Sequence, residues 1–308
     1  MSDDSLTILH MARRWIGDGH RVALVTVVEA WGSAPRGLGS HMIVRDDGLF
    51  EGSASGGCVE ASVLAAAEEV NAGKGYRRIE VAQNASEIWQ PGLPCGGRIA
   101  VAVQPIDESG FPPALLSAIL AATAEGRPIT VSTDTQTGQS VAGTKPGQFV
   151  RTYEPAPRLL VVGAVHISQS LAPLARTLGF AVTFIDPRPA YAAPERFPGE
   201  AFVTDWPDEA LERLAPDRRT AIVALTHDPK LDDPALAAAL RSEAFYIAAL
   251  GSRKSQAARL ERLAALGFGD DELARIHGPA GLDIKAAGPA EIAVSIAAEM
   301  IAVLRGAA

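Results

Sequence analysis

The sequence predicts an α/β protein in two parts, an N-terminal mixed α+β domain followed by a doubly wound parallel-sheet domain. The chain has 308 residues, enough for two ordinary cores, because a single core stops growing near about 250–300 residues. Strand-length apolar runs alternate regularly with helical segments only in the second half. The proline-stiffened segment Glu154-Pro155-Ala156-Pro157 is typical of a connector between domains. We therefore place the domains at residues 1–153 and 158–308.

The N-terminal half combines regular elements with glycine-rich loops. Apolar spacing predicts a helix at residues 5–17, and a β-branched apolar run predicts a buried strand at 22–28. Further predicted elements are strands at residues 41–45, 76–82 and 98–103, helices at 58–72 and 112–125, and three short extended segments that run to Tyr153. Glycine-rich segments interrupt this pattern at residues 32–39, 53–57 and 91–97. These loops are the candidates for function.

The C-terminal half has the pattern of parallel βαβ units. Its strand-length apolar runs lie at residues 159–162, 181–185, 201–203, 221–225 and 245–250. Helical segments of ten or more residues separate most of them, which predicts a Rossmann-like sheet. Closing helices are predicted at residues 254–266 and 289–305. The last helix has a continuous apolar face, so we expect a homodimer.

Composition limits the class of partner. The formal net charge of −8 and the pI near 5.3 disfavour binding to nucleic acid or to an anionic membrane. The first residues lack the basic and apolar regions of a secretory signal, and no run approaches the roughly 20 apolar residues that span a bilayer. With only two cysteines, the chain is typical of a reducing compartment. We expect a soluble cytoplasmic protein that meets anionic ligands with local basic groups.

The first chemical motif is Ser55-Gly56-Gly57-Cys58-Val59-Glu60. At the start of a helix, the thiol of Cys58 would be stabilised as a thiolate by unpaired amides and by the helix dipole. Gly57 leaves room for a bulky ligand, and Glu60 would cap amides or hold a proton. The competing interpretation is a buried cysteine that packs as a small apolar residue, with Glu60 as an ordinary first-turn acid.

The second motif is Cys95-Gly96-Gly97-Arg98, a thiol between glycines with a fixed positive charge three positions later. Cys58 and Cys95 could converge as handlers of sulfur or metal, or they could form a disulfide, and the spacing leaves both open. A thiol oxidoreductase is therefore one alternative function, although no Cys-x-x-Cys pair is present.

Two basic loops are candidates for anion binding. Ser33 and Arg36 lie in a glycine-rich segment whose amides, hydroxyl and guanidinium suit a phosphate or similar oxyanion. Arg253 lies in a basic turn that follows the last predicted strand of the second half. The competing interpretation for each is a turn with a solvated arginine.

A strand-to-helix turn in the second half occupies the position of a dinucleotide-binding loop. Gly163 and His166 lie in this turn, and Asp186 follows the next strand, where a carboxylate would accept a ribose hydroxyl. Val165 stands where the fingerprint requires a glycine, which disfavours NAD(P) as a cofactor. An NAD(P)-dependent oxidoreductase remains the main alternative function. His227 would lie at the same sheet edge as His166.

At these residues the chain resembles the XdhC/CoxI family, accessory proteins of molybdenum hydroxylases. The motifs that carry the resemblance are Gly32-Ser33-Ala34-Pro35-Arg36 with Gly39 and Met42, Ser55-Gly56-Gly57-Cys58-Val59-Glu60, Cys95-Gly96-Gly97-Arg98, Gly163-Ala164-Val165-His166, Leu250-Gly251-Ser252-Arg253-Lys254, and Gly281-Leu282-Asp283-Ile284 with Pro289. They keep their order over most of the chain.

The resemblance implies a non-catalytic chaperone rather than an enzyme, whose cargo is the molybdenum cofactor as molybdopterin or its dinucleotide form. It implies two partners, a cysteine desulfurase that supplies the sulfido ligand and an apo molybdenum hydroxylase that receives the cofactor. Carried over by motif, Cys58 and Cys95 would contact molybdenum, Arg36 and Arg98 would bind the anion, and Glu60 would be a neighbour. Val165 and Lys285 depart from the family's usual glycines.

Overall fold

The computed structural model describes residues 4–31, 36–57, 59–82 and 98–306. The chain forms two compact units, Met1–Pro155 and Ala156–Ala308. The first is a mixed α+β unit and the second contains a six-stranded parallel sheet, so the predicted fold class is confirmed.

The described elements of the first unit begin with a helix and end with a small sheet. In chain order they are α1 (Ser5–Gly17), β1 (Val22–Trp31), β2 (His41–Arg45), β3 (Phe50–Gly52), α2 (Glu60–Glu69) with a π-helical turn Val70–Lys74, β4 (Arg77–Ala82), β5 (Arg98–Pro105), α3 (Pro113–Ala124), β6 (Ile129–Thr133), β7 (Ser140–Ala142) and β8 (Phe149–Tyr153).

Two sheets organise this unit. The first five strands form an antiparallel sheet in the order β3-β2-β1-β5-β4, and the last three form a sheet in the order β7-β6-β8. Side chains alternate along β1, so Leu24 joins the apolar cluster of α1 and α3 while Val25 joins that of α2. The five-stranded sheet therefore has helices on both faces.

The second unit continues with alternating strands and helices. Its elements are β9 (Arg158–Val162), α4 (His166–Thr177), β10 (Ala181–Ile185), a 3-10 turn Pro194–Arg196, β11 (Ala201–Val203), α5 (Pro207–Leu214), β12 (Thr220–Ala224), α6 (Pro229–Leu240), β13 (Tyr246–Ala249), α7 (Arg253–Ala265), α8 (Asp270–Leu273), β14 (Ile276–His277) and α9 (Pro289–Leu304).

The six strands lie in the order β11-β10-β9-β12-β13-β14, and all neighbours are parallel. This is the strand order of a dinucleotide-binding fold. One apolar cluster packs α4 and α9 on one face, and another packs α5, α6 and α7 on the other. The five strands predicted from sequence are present, and β14 is an addition, because two residues are too few to give a periodic signal.

Within the described residues, no helix is both long and apolar enough to cross a bilayer.

Gly163 tests how tightly the turn after β9 is packed. Its φ is +106°, and a Cβ there would lie 2.7 Å from Thr226 Cγ2 and 3.2 Å from the Thr226 amide nitrogen. We expect Gly163→Ala to lower the free energy of unfolding by about 2–4 kcal/mol, the sum of left-handed strain and overpacking. Urea denaturation measures the loss.

Gly179→Ala is the matched control. Its φ is +86°, but a Cβ there would meet nothing within 4 Å. Strain alone should then cost about 1–2 kcal/mol. Equal losses in the two variants would contradict close packing at Gly163.

Candidate functional site

The strand ends next to the glycine-rich motifs meet at one end of the five-stranded sheet. Strands β1 and β5 pair from Ala23–Pro105 to Trp31–Arg98. Ala82, the last residue of β4, also pairs with Arg98. The chain therefore leaves the sheet at Trp31 and Ala82 and re-enters it at Arg98, all at the same end. The glycine-rich segments at residues 32–39 and 91–97 adjoin these positions.

The start of helix α2 lies nearer to this end of the sheet than the end of the helix does. After the helix, the Asn71 side chain donates to the Val44 carbonyl at 3.1 Å, and Val44 pairs with Ala23 at the far end of β1. At its start, Glu60 accepts from Ser53, the residue that follows Gly52. Gly52 pairs with Met42, which is two strand positions nearer to the Trp31 end than Val44 is.

The Glu60 carboxylate is the centre of the loop at residues 53–57. Its Oε1 accepts from the Ser53 hydroxyl at 2.6 Å and from the amides of Ser55 and Gly56 at 3.0 and 3.1 Å. Its Oε2 accepts from the Ser55 hydroxyl at 2.6 Å and from the amides of Gly57 and Val59 at 2.8 and 3.1 Å. A single carboxylate thus gathers six donors.

These contacts set the charge of Glu60. Burial opposes ionisation, but the hydrogen bonds from Ser53, Ser55 and the backbone outweigh it and lower the pKa of Glu60 to about 2. Of the two roles predicted for Glu60, capping amides and holding a proton, the structure shows the first. Gly57 has a φ of +125°, which favours glycine in a loop that turns its amides inward.

The helix begins two residues later than predicted, at Glu60 rather than at Cys58. The amides of Gly57 and Val59 donate to Glu60, so they are engaged rather than open to another anion. Cys58, Cys95 and Ser33 lie outside the described residues. Their predicted roles stay predictions.

The two arginines predicted as anion partners, Arg36 and Arg98, have carboxylate partners. Nη2 of Arg36 donates to both carboxylate oxygens of Asp4, at 2.7 and 2.9 Å. Nη2 of Arg98 donates to Glu80 at 3.0 Å, and half of the Arg98 side chain is exposed. Their predicted role as anion partners stays a prediction, and Arg98 is the more accessible of the two.

Sequence reasoning missed residues that the sheet brings beside Arg98. The guanidinium of Arg98 lies 5.1 Å from the ring centroid of Trp31, its pairing partner across the strands. Ser53 was missed as well, although it supplies one of the shortest hydrogen bonds to Glu60. An aromatic residue directly before the first glycine-rich motif was the available signal for Trp31. No local pattern marks Ser53.

In the second unit, four neighbouring strands bring the predicted residues to one sheet edge. Gly163 and His166 follow β9, Asp186 follows β10, His227 follows β12, and Arg253 follows β13. The strands are parallel, so these residues share the carboxyl edge, where ligands of such sheets bind. The structure therefore places all five residues along one edge of the sheet, as the sequence predicted for His166 and His227.

Asp186 uses its carboxylate on the protein itself. Its Oδ1 accepts from the amide and Nε of Arg188, at 3.0 and 2.8 Å. Its Oδ2 accepts from Nη2 of Arg188 at 2.8 Å and from the Ala164 amide at 2.9 Å. Burial opposes ionisation of this fully buried residue, but these donors lower the pKa of Asp186. The carboxylate expected to accept a ribose hydroxyl has four protein donors instead.

The two departures from the family pattern have distinct surroundings. Val165 is the N-cap of α4 and packs against the apolar cluster on that face of the sheet. Lys285 has a φ of +60°, which explains why a glycine suits the position, and its Nζ donates to Asp283 at 2.8 Å. Lys285 therefore has an acidic partner at the surface.

Within residues 4–31, 36–57, 59–82 and 98–306, no group of three or more His, Cys, Asp or Glu side chains is arranged to hold a metal ion.

Comparisons with known proteins cover nearly the whole chain. Residues 159–300 match the XdhC Rossmann domain, and residues 15–81 match the XdhC and CoxI family. The molybdenum cofactor insertion chaperone PaoD of Escherichia coli (strain K12) is 31% identical over 98% of this chain and 90% of PaoD. A protein of Bacillus subtilis (strain 168) named as a probable xanthine dehydrogenase subunit is 30% identical over 92% of this chain and 93% of that protein.

A solved structure has the same fold. It is described as a xanthine dehydrogenase from Bacillus halodurans, with a TM-score of 0.81 and 25% identity. The similarity covers 99% of this chain and 96% of the solved chain. The fold of this chain is therefore shared with a solved chain over almost the whole length of both.

The role of Glu60 can be tested by its dependence on pH. Glu60→Gln places an amide against inward-facing N–H donors, so we expect a loss of roughly 1–2 kcal/mol at pH 7, allowing for solvent screening. Because the folded pKa is about 2 and the ordinary value is 4.5, the stabilisation is complete above 4.5 and is lost as pH falls toward 2. Urea denaturation at several pH values measures the free energy of unfolding of both proteins. The difference between Glu60→Gln and wild type should become smaller as the pH falls from 5 to 3.

Glu68→Gln is the control, because Glu68 is an exposed acid on the same helix. It should change stability little at any pH. A Glu60→Gln loss that stays constant from pH 7 to 3 would show that the carboxylate charge is not what stabilises the loop.

Proposed function

Since this chain belongs to the XdhC and CoxI family, we propose that it binds the molybdenum cofactor and assists its sulfuration and insertion into a molybdenum hydroxylase. The hydroxylase would be of the xanthine dehydrogenase or carbon monoxide dehydrogenase type. A cysteine desulfurase would supply the sulfur while the protein holds the cofactor. We place this activity in the cytoplasm and assign the protein a chaperone role rather than turnover.

The observation that carries the proposal is that the strand ends next to two glycine-rich motifs lie side by side at one end of the first sheet. Trp31 and Arg98 are paired neighbours, although each adjoins a different motif. The start of helix α2 lies toward the same end, since Glu60 accepts from Ser53 next to the end of β3. The segments that follow Trp31 and precede Arg98 can therefore act on one ligand.

The chemistry of these loops suits this cargo. Molybdenum is a metal that thiolates ligate, so Cys58 and Cys95 would contact it or relay sulfur to it. The phosphate of the cofactor needs positive charge that an overall charge of −8 does not provide, and Arg98 is half exposed at this end. The loop amides around Glu60 already have an anion, so guanidinium groups are the better candidates for the phosphate.

The alternative of an NAD(P)-dependent oxidoreductase is less well supported. Asp186 has both oxygens engaged by Arg188 and Ala164, and Val165 stands at the second glycine position. In our proposal the second unit serves partner docking or assembly. The thiol oxidoreductase alternative depends on Cys58 and Cys95, which the structure does not describe.

Cofactor retention tests the proposal. Purified protein is mixed anaerobically with free molybdenum cofactor and passed over a size-exclusion column. Molybdenum and pterin should elute together with the protein. The double variant Cys58→Ala, Cys95→Ala should retain molybdenum at least about tenfold less well. Replacing residues that only orient metal ligands already lowers metal affinity by about this factor. Elemental analysis measures the molybdenum in the eluted fractions. Fluorescence after oxidation of the same fractions measures the pterin.

The double variant Cys58→Ser, Cys95→Ser is the size-matched control and should behave like the alanine pair, because it also lacks thiolates. Thermal unfolding checks that both variants fold. Failure of the wild type to retain the cofactor would refute the proposed function. Undiminished retention by both double variants would refute only the thiol roles.

We also propose that the protein forms a homodimer through α9. The apolar face from which the sequence predicted the dimer is occupied within the chain, because Ile296 and Met300 on that face are buried in the core of the second unit. The proposal rests instead on the solvent-facing side of α9, where Val294 is 48% exposed and lies between Ala290 and Ala298. We expect Val294→Glu to convert the dimer to monomers, as measured by light scattering after size-exclusion chromatography. Leu266→Glu is the control, because Leu266 is 61% exposed in the same unit but outside α9. A monomeric wild type, or a Val294→Glu dimer, would contradict this proposal.

A further inference from the structure

An exposed indole lies at the end of the first sheet, between the strand ends that adjoin two of the glycine-rich motifs. Trp31 is the last residue of β1, and 51% of its surface is exposed. It lies on the sheet face opposite α2, since Ala30 before it packs against the apolar cluster of that helix. Tryptophan is enriched at binding surfaces, because its indole combines a large apolar ring with a polar N–H. Trp31 therefore offers a surface for ligand contact.

Arg98 supports the indole from the neighbouring strand. Its guanidinium lies 5.1 Å from the ring centroid of Trp31, within the range of a cation–π interaction. Half of the indole remains accessible despite this contact. A planar ligand can therefore stack on the ring while the cation holds it from the other strand.

A chain of ion pairs fixes this arrangement. Glu80 accepts from Arg98 Nη2 and from Arg78 Nε, both at 3.0 Å. Arg78 Nη2 in turn donates to Glu29 on β1 at 2.8 Å. These ion pairs connect β1, β4 and β5 directly beside Trp31. The guanidinium of Arg98 is therefore held in position before any ligand binds. Pre-organisation of this kind lowers the cost of binding.

We infer that Trp31, with Arg98 beside it, is the stacking platform for the pterin ring of the cofactor. A pterin is a flat bicyclic heterocycle with polar edges, and such rings stack on aromatic side chains as nucleobases do. The surrounding charged groups suit the polar edges, and Arg98 belongs to the same motif as Cys95. This inference rests on the proposed function and assigns the organic part of the cargo to residues outside the thiol pair.

Charge around the indole favours a small polar heterocycle over a protein partner. Two carboxylates, Glu29 and Glu80, pair with Arg78 and Arg98 beside Trp31, whereas glutamate is depleted at the core of a protein interface. The exposed Leu49 and Phe50 lie beyond β2, where the hairpin pairs with the opposite end of β1. They do not extend the Trp31 surface into an apolar patch.

Titration of the isolated molybdenum cofactor with full-length protein tests the inference. Equilibrium dialysis under anaerobic conditions, with molybdenum measured on both sides of the membrane, gives the Kd without relying on protein tryptophan. We expect Trp31→Ala to raise the Kd by roughly 10- to 100-fold and Trp31→Phe to stay within about threefold of wild type. Trp206→Ala is the matched control, because Trp206 is also 51% exposed but lies in the second unit. It should bind as wild type does.

The outcomes separate this inference from the proposed function. Cofactor binding by wild type with an unchanged Kd for Trp31→Ala overturns the platform and leaves the proposed function intact. Equal losses in Trp31→Ala and Trp31→Phe also overturn it, because stacking tolerates the exchange of one aromatic ring for another. Absence of binding by wild type refutes the proposed function and this inference with it.

Discussion

The pairing of β1 with β5 is the constraint on which the rest of the first unit depends. The two strands run together from Ala23 to Trp31, far beyond the five residues that β1 shares with β2. This register joins Trp31 to Arg98 and places two segments that are distant in sequence at one end of the sheet. Side chains of β1 alternate between the two buried faces of the sheet. A shift of one residue in the pairing register would therefore move every side chain of β1 to the opposite face.

The loop around Glu60 shows how the protein treats negative charge near its motifs. Backbone amides at the start of a helix are a common site for an anionic ligand. Here the protein supplies the anion itself, and six donors hold the carboxylate ionised. The loop is thereby fixed without a ligand. In the proposed function, the anionic part of the cofactor is therefore assigned to side-chain cations such as Arg98.

The second unit has the strand order of a dinucleotide-binding domain without the free groups of one. Asp186 lies in the expected place but pairs with Arg188, and the Arg188 guanidinium also lies 3.8 Å from the ring centroid of Tyr191. Gly163 is retained in the tight turn because Thr226 leaves no room for a side chain at that position. The scaffold is thus retained while its polar groups are used for internal stability. In this protein the strand order alone does not indicate the ligand.

The sequence by itself determined the two-part fold and the family, which the comparisons confirm. Apolar periodicity and ordered motifs are local properties, so strands, helices and the connector before residue 158 can be read directly from the chain. Short elements escaped this reading, as β14 did with its two residues, because they contain no period. For Glu60 the sequence left two roles open, capping amides or holding a proton, because an acid in the first turn of a helix is compatible with both.

Tertiary structure alone decided which residues meet. The contact of Trp31 with Arg98, the six donors on Glu60 and the pairing of Asp186 with Arg188 depend on the strand register, the direction of α2 and the rotamers chosen. Two of these three contacts join residues that are close in sequence, yet composition could not show whether a carboxylate would face a ligand or its own loop. Packing selects between such alternatives, because each buried donor and acceptor must find a partner once water is excluded.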